Sequence, residues 1–374
     1  MHPKRQRIFA GAVCTSVLSL LLGGCPPTEP PADALKKIAP PPTGRFYHGV
    51  FPGSVTGAED DISAEDITAY EQAVGEGVAW VYFAHNWYQS RAFPLNSATM
   101  SRDRGAVPFI RLMLRSSDVQ NQAEPVFNLP AILAGEFDAD LDVWGAAARG
   151  FGDALLVEWG TECNGRWFSW NGVWNGGGEP GDFGDPAVPD GPERFVAVFR
   201  HIVERIRAAG ADNVSFVWHV NADDVPAEAW NALENYYPGD DVVDWLAVSV
   251  YGPLTPLTDD APVFPTVMDS VYPRLAGLSA DKPIIVAEFG CAANHPTVAA
   301  NEWAGDALTQ LLGRRWPRII GFSWWNEHWQ NDDYPAHDTI MRVQEVPALA
   351  STFRQVLGAH ESQLSAPVTV EAGR

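Results

Sequence analysis

The sequence has few basic residues relative to its acidic ones, and this shortage limits the classes of partner that the protein can bind. Lysine and arginine number 25 against 47 aspartates and glutamates, which gives a formal net charge of -22 over 374 residues. This charge argues against nucleic acid or an anionic membrane surface as a partner, because both would repel the chain. It fits a neutral substrate.

Motifs that would indicate other chemistries are also missing. The histidines and cysteines show no His-x-x-x-His or Cys-x-x-Cys spacing, so we expect no catalytic metal and no cofactor. The sequence has no Gly-x-Ser-x-Gly motif of the kind that carries the nucleophile of a serine hydrolase. No glycine-rich phosphate loop follows the first strand-like segment, and this disfavours an open doubly wound sheet, the main alternative fold.

The first 24 residues are expected to be a targeting signal rather than part of the folded domain. A basic start precedes an apolar stretch at 8–22, which is too short to span a membrane comfortably. The sequence Leu-Gly-Gly-Cys that ends at Cys25 resembles a bacterial lipoprotein signal, which implies that Cys25 becomes the lipidated first residue. An ordinary secretory signal is the alternative. We therefore expect an extracytoplasmic protein, either secreted or anchored to a bacterial membrane, with Pro26 weakly favouring the outer membrane.

Composition divides the rest of the chain into three parts. We expect residues 25–43 to form a proline-rich linker, residues 44–360 a single folded domain, and residues 361–374 a C-terminal tail. We expect a monomer. Cys163 and Cys291 are expected to be buried and unpaired. A disulfide between them is the alternative, which an oxidising compartment would allow.

Strand-like and helix-like segments alternate along residues 44–360. The strand-like segments are 45–51, 78–85, 107–114, 154–160, 214–220, 245–251, 283–289 and 319–325. The clearest helical periodicity is at 64–74, 141–149, 193–209, 227–234, 299–312 and 346–356. Eight repeats of a strand followed by a helix predict a single (β/α)8 barrel of the α/β class, with its active site at the carboxyl ends of the strands.

Two glutamates lie at the ends of the predicted fourth and seventh strands. Glu162 and Glu288 each come after a short apolar run and before a turn that contains glycine. Glycoside hydrolysis typically requires two carboxyl groups on either side of the scissile bond, and two carboxylates facing each other across a barrel mouth would meet this requirement. A buried structural salt bridge is the alternative for each. The long, aromatic connection 165–192 is predicted to form one wall of a cleft, and the connection 326–344 another.

The segment that contains Glu162 resembles a known family. Residues 161–170 read Thr-Glu-Cys-Asn-Gly-Arg-Trp-Phe-Ser-Trp, which is similar to the acid/base motif of glycoside hydrolase family 26. The resemblance implies a retaining (β/α)8 glycosidase with Glu162 as acid/base and Glu288 as nucleophile. It also implies that Tyr251 hydrogen-bonds the nucleophile and that a tryptophan from strand eight lies under the central sugar.

Two positions depart from the family pattern. Thr161 stands where the family has a histidine, and Glu158 stands where it usually has an arginine. Glu158 is therefore a rival carboxylate. These departures also raise a different class of function, a non-catalytic carbohydrate-binding surface lipoprotein.

The resemblance and the strand ends together give the expected function and binding residues. We expect a retaining hydrolase of a β-1,4-linked polysaccharide, with mannan first and xylan or mixed-linkage glucan as alternatives. The residues expected to bind substrate are Trp87, Asn164, Trp167, His219, Tyr251, Trp324 and Trp325.

Overall fold

The structure is a computed structural model, and it describes residues 35–54 and 59–372. The predicted signal sequence, the expected lipidation site at Cys25 and part of the predicted linker lie outside the described residues. Within the described ranges, no helix is both long enough and apolar enough to cross a membrane.

Eight parallel strands close into a barrel. Each pairs with its neighbours in the chain, and the first pairs with the last. They are β1 (Tyr47–Phe51), β2 (Trp80–Asn86), β3 (Val107–Met113), β4 (Leu155–Trp159), β5 (Val214–Asn221), β6 (Trp245–Tyr251), β7 (Ile284–Gly290) and β8 (Ile319–Trp325). Every predicted strand is present, and the predicted (β/α)8 barrel is confirmed.

Helices surround the barrel. They are α1 (Ala64–Val74), α2 (Leu95–Asp103), α3 (Leu129–Leu133), α4 (Asp138–Phe151), α5 (Asp190–Ala208), α6 (Phe264–Leu278), α7 (Ala300–Leu312) and α8 (Pro347–Ala359). Local signals explain the bounds of α1, since the Ser63 side chain accepts a hydrogen bond from the Asp66 backbone and Gly75 ends the helix at a φ of 82°.

One predicted helix is wrong. Residues 227–234 instead contain two short 3-10 turns, Ala229–Asn231 and Leu233–Tyr236. The Asn231 side chain donates to the backbone carbonyls of Asn164 and Pro226 at 2.9 and 3.0 Å. These bonds hold the segment to the neighbouring loop in place of a regular helix.

The boundaries of the predicted linker and tail also differ. Lys36–Ile38, predicted as linker, forms a short antiparallel pair with Thr369–Glu371, predicted as tail. A second short pair, His328–Trp329 with Thr339–Ile340, shapes the connection after β8.

Large aromatic side chains fill the end of the barrel where the strands begin. Trp80 is fully buried, with its ring 5.8 Å from that of Tyr47 and 6.4 Å from that of Trp245. Gly49 provides the necessary space, because a Cβ there would lie 2.0 Å from the Trp80 indole nitrogen. This packed layer closes the barrel floor and leaves the opposite end for a site.

Candidate active site

A single cavity contains both predicted catalytic glutamates. Its volume is about 1070 Å³, and Glu162, Glu288, Tyr251 and Trp325 all contribute to its wall. These residues come from the ends of β4, β6, β7 and β8 or directly after them, so the cavity opens at the carboxyl ends of the barrel strands. The two carboxylates therefore face one space.

Glu162 is held in a rare backbone conformation. Its φ is 47°, in the left-handed region that residues other than glycine seldom adopt, and such strain is typical of functional sites. The Trp167 indole N–H donates to Glu162 Oε2 at 2.7 Å. The turn after β4 thus aims the carboxylate into the cavity, and the tryptophan fixes its orientation.

Glu288 lies where the barrel pairing is irregular. The register of β7 shifts on both sides of this residue, between Val248 and Ser249 of β6 and again along β8. Such irregularities re-aim side chains near active sites. The Tyr251 hydroxyl donates to Glu288 Oε2 at 2.8 Å, and the Tyr82 hydroxyl lies 3.0 Å from Oε1.

The electrostatics around Glu288 favour its neutral form. Burial raises the pKa of Glu288 to about 7, with Arg111 opposing the rise and the charge of Glu162 adding to it. Glu288 is 4% exposed and Glu162 is 8% exposed. Glu288 therefore ionises close to neutral pH, and the charge of Arg111 is the main influence that favours its carboxylate.

Glu158, the rival carboxylate, lies below the cavity rather than on its wall. It is fully buried, and it occupies the register position opposite Arg111 of β3. The Arg111 Nε lies 3.7 Å from Glu158, and another nitrogen of the same guanidinium lies 3.9 Å from Glu288. An arginine on the adjacent strand thus lies beside both Glu158 and Glu288.

His219 of β5 stands beside the position where the family histidine is missing. Its Nδ1 lies 2.9 Å from Glu158 and 3.0 Å from the Thr161 hydroxyl, and its Nε2 lies 2.8 Å from the Ser249 hydroxyl. Burial would lower the pKa of His219, but the charge of Glu158 and the hydrogen bond to it outweigh this and raise it. For Glu158, the charge and hydrogen bond of His219 outweigh burial and lower the pKa. The two side chains form a buried ion pair.

Aromatic side chains form much of the cavity wall. Trp167, Phe168, Tyr251 and Trp325 line it. The Arg111 guanidinium lies 5.3 Å from the ring centre of Phe168 and 5.5 Å from that of Trp325. Flat apolar faces beside hydrogen-bonding groups are typical of sugar-binding clefts. The connection after β8 adds Glu327, as predicted for the stretch 326–344.

Four residues predicted to contact substrate lie elsewhere, and the structure corrects those assignments. Trp87 packs against Phe127, and Trp324 packs against Phe353 while its indole donates to a backbone carbonyl. Asn164 is fully buried and donates to the carbonyl of Asn221, and His219 lies beneath the cavity in the ion pair with Glu158. Each is used for packing or for internal hydrogen bonds.

Sequence reasoning missed three residues of the site: Tyr82, Arg111 and Glu327. An arginine within an apolar strand predicted to be buried needs a carboxylate partner, and this signal at Arg111 could have been used. Glu327 gives no comparable signal. It lines the cavity, accepts a hydrogen bond from the Ser54 backbone at 3.2 Å, and burial raises its pKa to about 7.

Metal binding has one geometric candidate in the part of the chain that the structure describes. Ligand atoms of Glu158, His219 and Glu288 lie within 4.8 Å of one another. Both ring nitrogens of His219 are already in hydrogen bonds, to Glu158 and Thr161 on one side and to Ser249 on the other. The group fits an ion pair better than a metal site, which needs a free imidazole nitrogen.

Cys163 and Cys291 are both buried and unpaired.

The fold and the site define a class: a (β/α)8 barrel with one glutamate directly after strand four and another near the end of strand seven, an arrangement that suits a glycoside hydrolase. The model of glycosyl hydrolase family 26 matches residues 155–285, a range that includes Glu162 and ends just before Glu288. This segment, about a third of the chain, is therefore similar to glycosyl hydrolase family 26.

The chain is also similar to curated proteins and to solved structures. Endoglucanase H of Acetivibrio thermocellus is 25% identical over 324 residues, covering 85% of this chain and 31% of that protein. A beta-1,3-xylanase of a Vibrio species is 32% identical over 120 residues, covering 32% of this chain and 21% of that protein. The chain thus spans about a third or less of these curated relatives.

Among solved structures, a Bacillus subtilis mannanase has a TM-score of 0.56 at 17% identity, covering 87% of each chain. An endo-beta-1,4-mannanase double mutant of Cellulomonas fimi has a TM-score of 0.58 at 17% identity, covering 87% of this chain and 73% of that one. At this identity the likeness shows the shared barrel fold.

Proposed function

We propose that this protein is a retaining glycoside hydrolase that cleaves a β-linked polysaccharide by double displacement. One observation carries the proposal. Glu162 and Glu288 line the same cavity from opposite sides of the barrel, and each is oriented by its own hydrogen-bond donor, Trp167 or Tyr251. Two oriented carboxyls in one cavity match the requirement of this chemistry.

The proposed reaction has two steps. In the first, protonated Glu162 gives its proton to the leaving oxygen while ionised Glu288 attacks the anomeric carbon, so the glycosidic bond breaks as a glycosyl-enzyme bond forms. In the second, ionised Glu162 takes a proton from water, the resulting hydroxide attacks the same carbon, and Glu288 leaves as a carboxylate. The sugar product keeps its original anomeric configuration.

The cavity supports a neutral polymer as substrate. Besides the two central glutamates, its wall carries Glu59, Asp223, Asp260 and Glu327, which would repel an anionic chain. We propose a β-1,4-linked backbone, with mannan as the first substrate to test. Glucan and β-1,3-xylan stand beside it, because the curated relatives are an endoglucanase and a beta-1,3-xylanase.

A polymeric substrate also fits the location expected from the N-terminus. A polysaccharide is degraded outside the cytoplasm, and the lipoprotein-like signal that ends at Cys25 would place the barrel there. We therefore propose an extracytoplasmic enzyme, tethered through Cys25 or secreted.

The test is release of reducing sugar from mannan, β-1,4-xylan, β-1,3-xylan and mixed-linkage glucan. The wild-type protein should release sugar from at least one of these, and Glu288→Gln should abolish that release. Glu162→Gln should lower it about 10²- to 10⁴-fold, the usual contribution of a general acid. Glu204→Gln, on the exposed face of α5, is the matched control and should keep wild-type activity.

One result would contradict the proposal. If the wild-type protein is retained on insoluble polysaccharide but releases no reducing sugar from any polymer of the panel, the barrel is a binding protein.

A further inference from the structure

The Tyr82 hydroxyl contacts two carboxylates at once. It donates to Glu158 Oε1 in a short hydrogen bond and lies 3.0 Å from Glu288 Oε1. Burial and the charges of both glutamates raise the pKa of Tyr82 well above its ordinary value, so the hydroxyl keeps its proton. A hydroxyl carries one proton, so Tyr82 can donate to only one of the two glutamates at a time.

The two glutamates have different surroundings. Glu158 is paired with His219 at 2.9 Å and lies 3.7 Å from Arg111. Nearby positive charge therefore balances the negative charge of Glu158 more fully than that of Glu288. Glu288 has one other hydroxyl donor, Tyr251. The ionisable groups around Glu288 come from every neighbouring part of the barrel: Glu59 after β1, Tyr82 of β2, Arg111 of β3, Glu158 of β4, Glu162 after β4, His219 of β5 and Tyr251 of β6.

We propose that Tyr82 is a positioning residue whose hydrogen bond reverses with the charge of Glu288. When Glu288 is protonated, its carboxyl donates to the Tyr82 oxygen and Tyr82 donates to Glu158. When Glu288 is ionised, Tyr82 turns its proton to Glu288, and His219 and Arg111 balance the charge of Glu158. The ionised nucleophile then has a tyrosine donor at each oxygen, Tyr82 at Oε1 and Tyr251 at Oε2. This inference rests on the proposed function and adds a residue to the same site.

Counting hydrogen bonds gives the direction of the effect. With Glu288 protonated, Tyr82 takes part in two hydrogen bonds, one with each glutamate. With Glu288 ionised, Tyr82 makes only one, because both neighbours are then acceptors. Tyr82 therefore stabilises the protonated state of Glu288 more than the ionised state, in the same direction as the rise caused by burial. Removing the hydroxyl should make Glu288 easier to ionise.

The test is the titration of Glu288 in Tyr82→Phe, followed by NMR of glutamate side-chain carboxyl carbons labelled with ¹³C and assigned with Glu288→Gln. We expect the midpoint of Glu288 to fall by about one pH unit, the effect of losing one net hydrogen bond. Tyr70→Phe is the matched control. Tyr70 is also fully buried and bonds a histidine, His48, at 2.8 Å, and its loss should leave the Glu288 midpoint unchanged.

An unchanged or higher midpoint in folded Tyr82→Phe would overturn the inference. If that variant does not fold, Tyr82→Leu, which also removes the hydroxyl, takes its place. Its Glu288 midpoint should fall as well, and an unchanged or higher midpoint would overturn the inference. The titration needs no turnover, so a wild-type protein that cleaves no polysaccharide would contradict the proposed function and still leave this result decisive. With an active enzyme, the acidic limb of kcat/KM should move with the midpoint.

Discussion

Arg111 is the cation that allows Glu288 to ionise, and replacing it should move the pH dependence of the reaction upward. A guanidinium nitrogen lies 3.9 Å from Glu288 Oε1. At an effective dielectric constant of about 20, a unit charge pair at this distance interacts by about 4 kcal/mol, which corresponds to about three pKa units. Glu59 accepts a hydrogen bond from the same guanidinium at 2.9 Å and offsets part of this effect. We therefore expect Arg111→Met to raise the pKa of Glu288 by about one to three units above its present value of about 7.

The direction in which the pH dependence moves follows from the role proposed for Glu288. In the proposed mechanism Glu288 attacks as a carboxylate, so the active fraction is lost as the pH falls through its pKa. A higher pKa moves the acidic limb of kcat/KM to higher pH, and at pH 6 the variant should be about 10- to 1000-fold slower than the wild type. The assay is kcat/KM from pH 4 to 10 on a soluble glycan that the wild-type enzyme cleaves.

Arg111→Lys is the matched control, because it keeps the charge and loses the flat group between Phe168 and Trp325. Its acidic limb should lie much closer to that of the wild type. The reasoning is refuted if Arg111→Met folds, as judged by its thermal melt and circular dichroism, and its acidic limb stays in place or moves to lower pH.

Two further predictions concern the acid and the barrel floor. Trp167→Phe removes the 2.7 Å hydrogen bond to Glu162 and should lower kcat on polysaccharide about 10- to 100-fold. The control is Trp174→Phe, which should lower kcat far less because the Trp174 indole donates to a backbone carbonyl of the same loop. Gly49→Ala should cost about 1–3 kcal/mol in urea unfolding, because the new methyl would overlap a buried tryptophan, whereas Gly150→Ala, on the exposed face of α4 with no atom nearby, should add about 0.5–1 kcal/mol. Equal losses from the two tryptophan changes, or from the two glycine changes, would contradict these assignments.

The strands could be predicted because each is a short apolar run between turn signals, a pattern that follows from burial on both faces. Two of the helices that were missed have different reasons. In α2 only Ala98 and Ser101 are buried, so no apolar periodicity marks it. In α6 the buried residues do recur at helical spacing, but Pro273 in the interior argues against a helix.

The site was predictable where it depends on strand ends and less so where it depends on register. Glu162 and Glu288 were predicted from their positions, just after β4 and near the end of β7. The pairing of Arg111 with Glu158 depends on the alignment of β3 with β4, which neither segment reveals alone. The two tryptophans that end β8 face opposite sides, and only tertiary packing determines that Trp325 is the one on the cavity wall.

Covalent trapping tests the central claim most directly. The wild-type protein would be incubated with an activated 2-deoxy-2-fluoro glycoside of the sugar that it cleaves, digested, and analysed by peptide mass spectrometry. Double displacement predicts a single added fluoroglycosyl group on Glu288, formed faster than it is hydrolysed and absent from Glu288→Gln. Attachment to Glu158 or Glu162, or turnover of the native substrate with inversion of the anomeric configuration, would contradict the account.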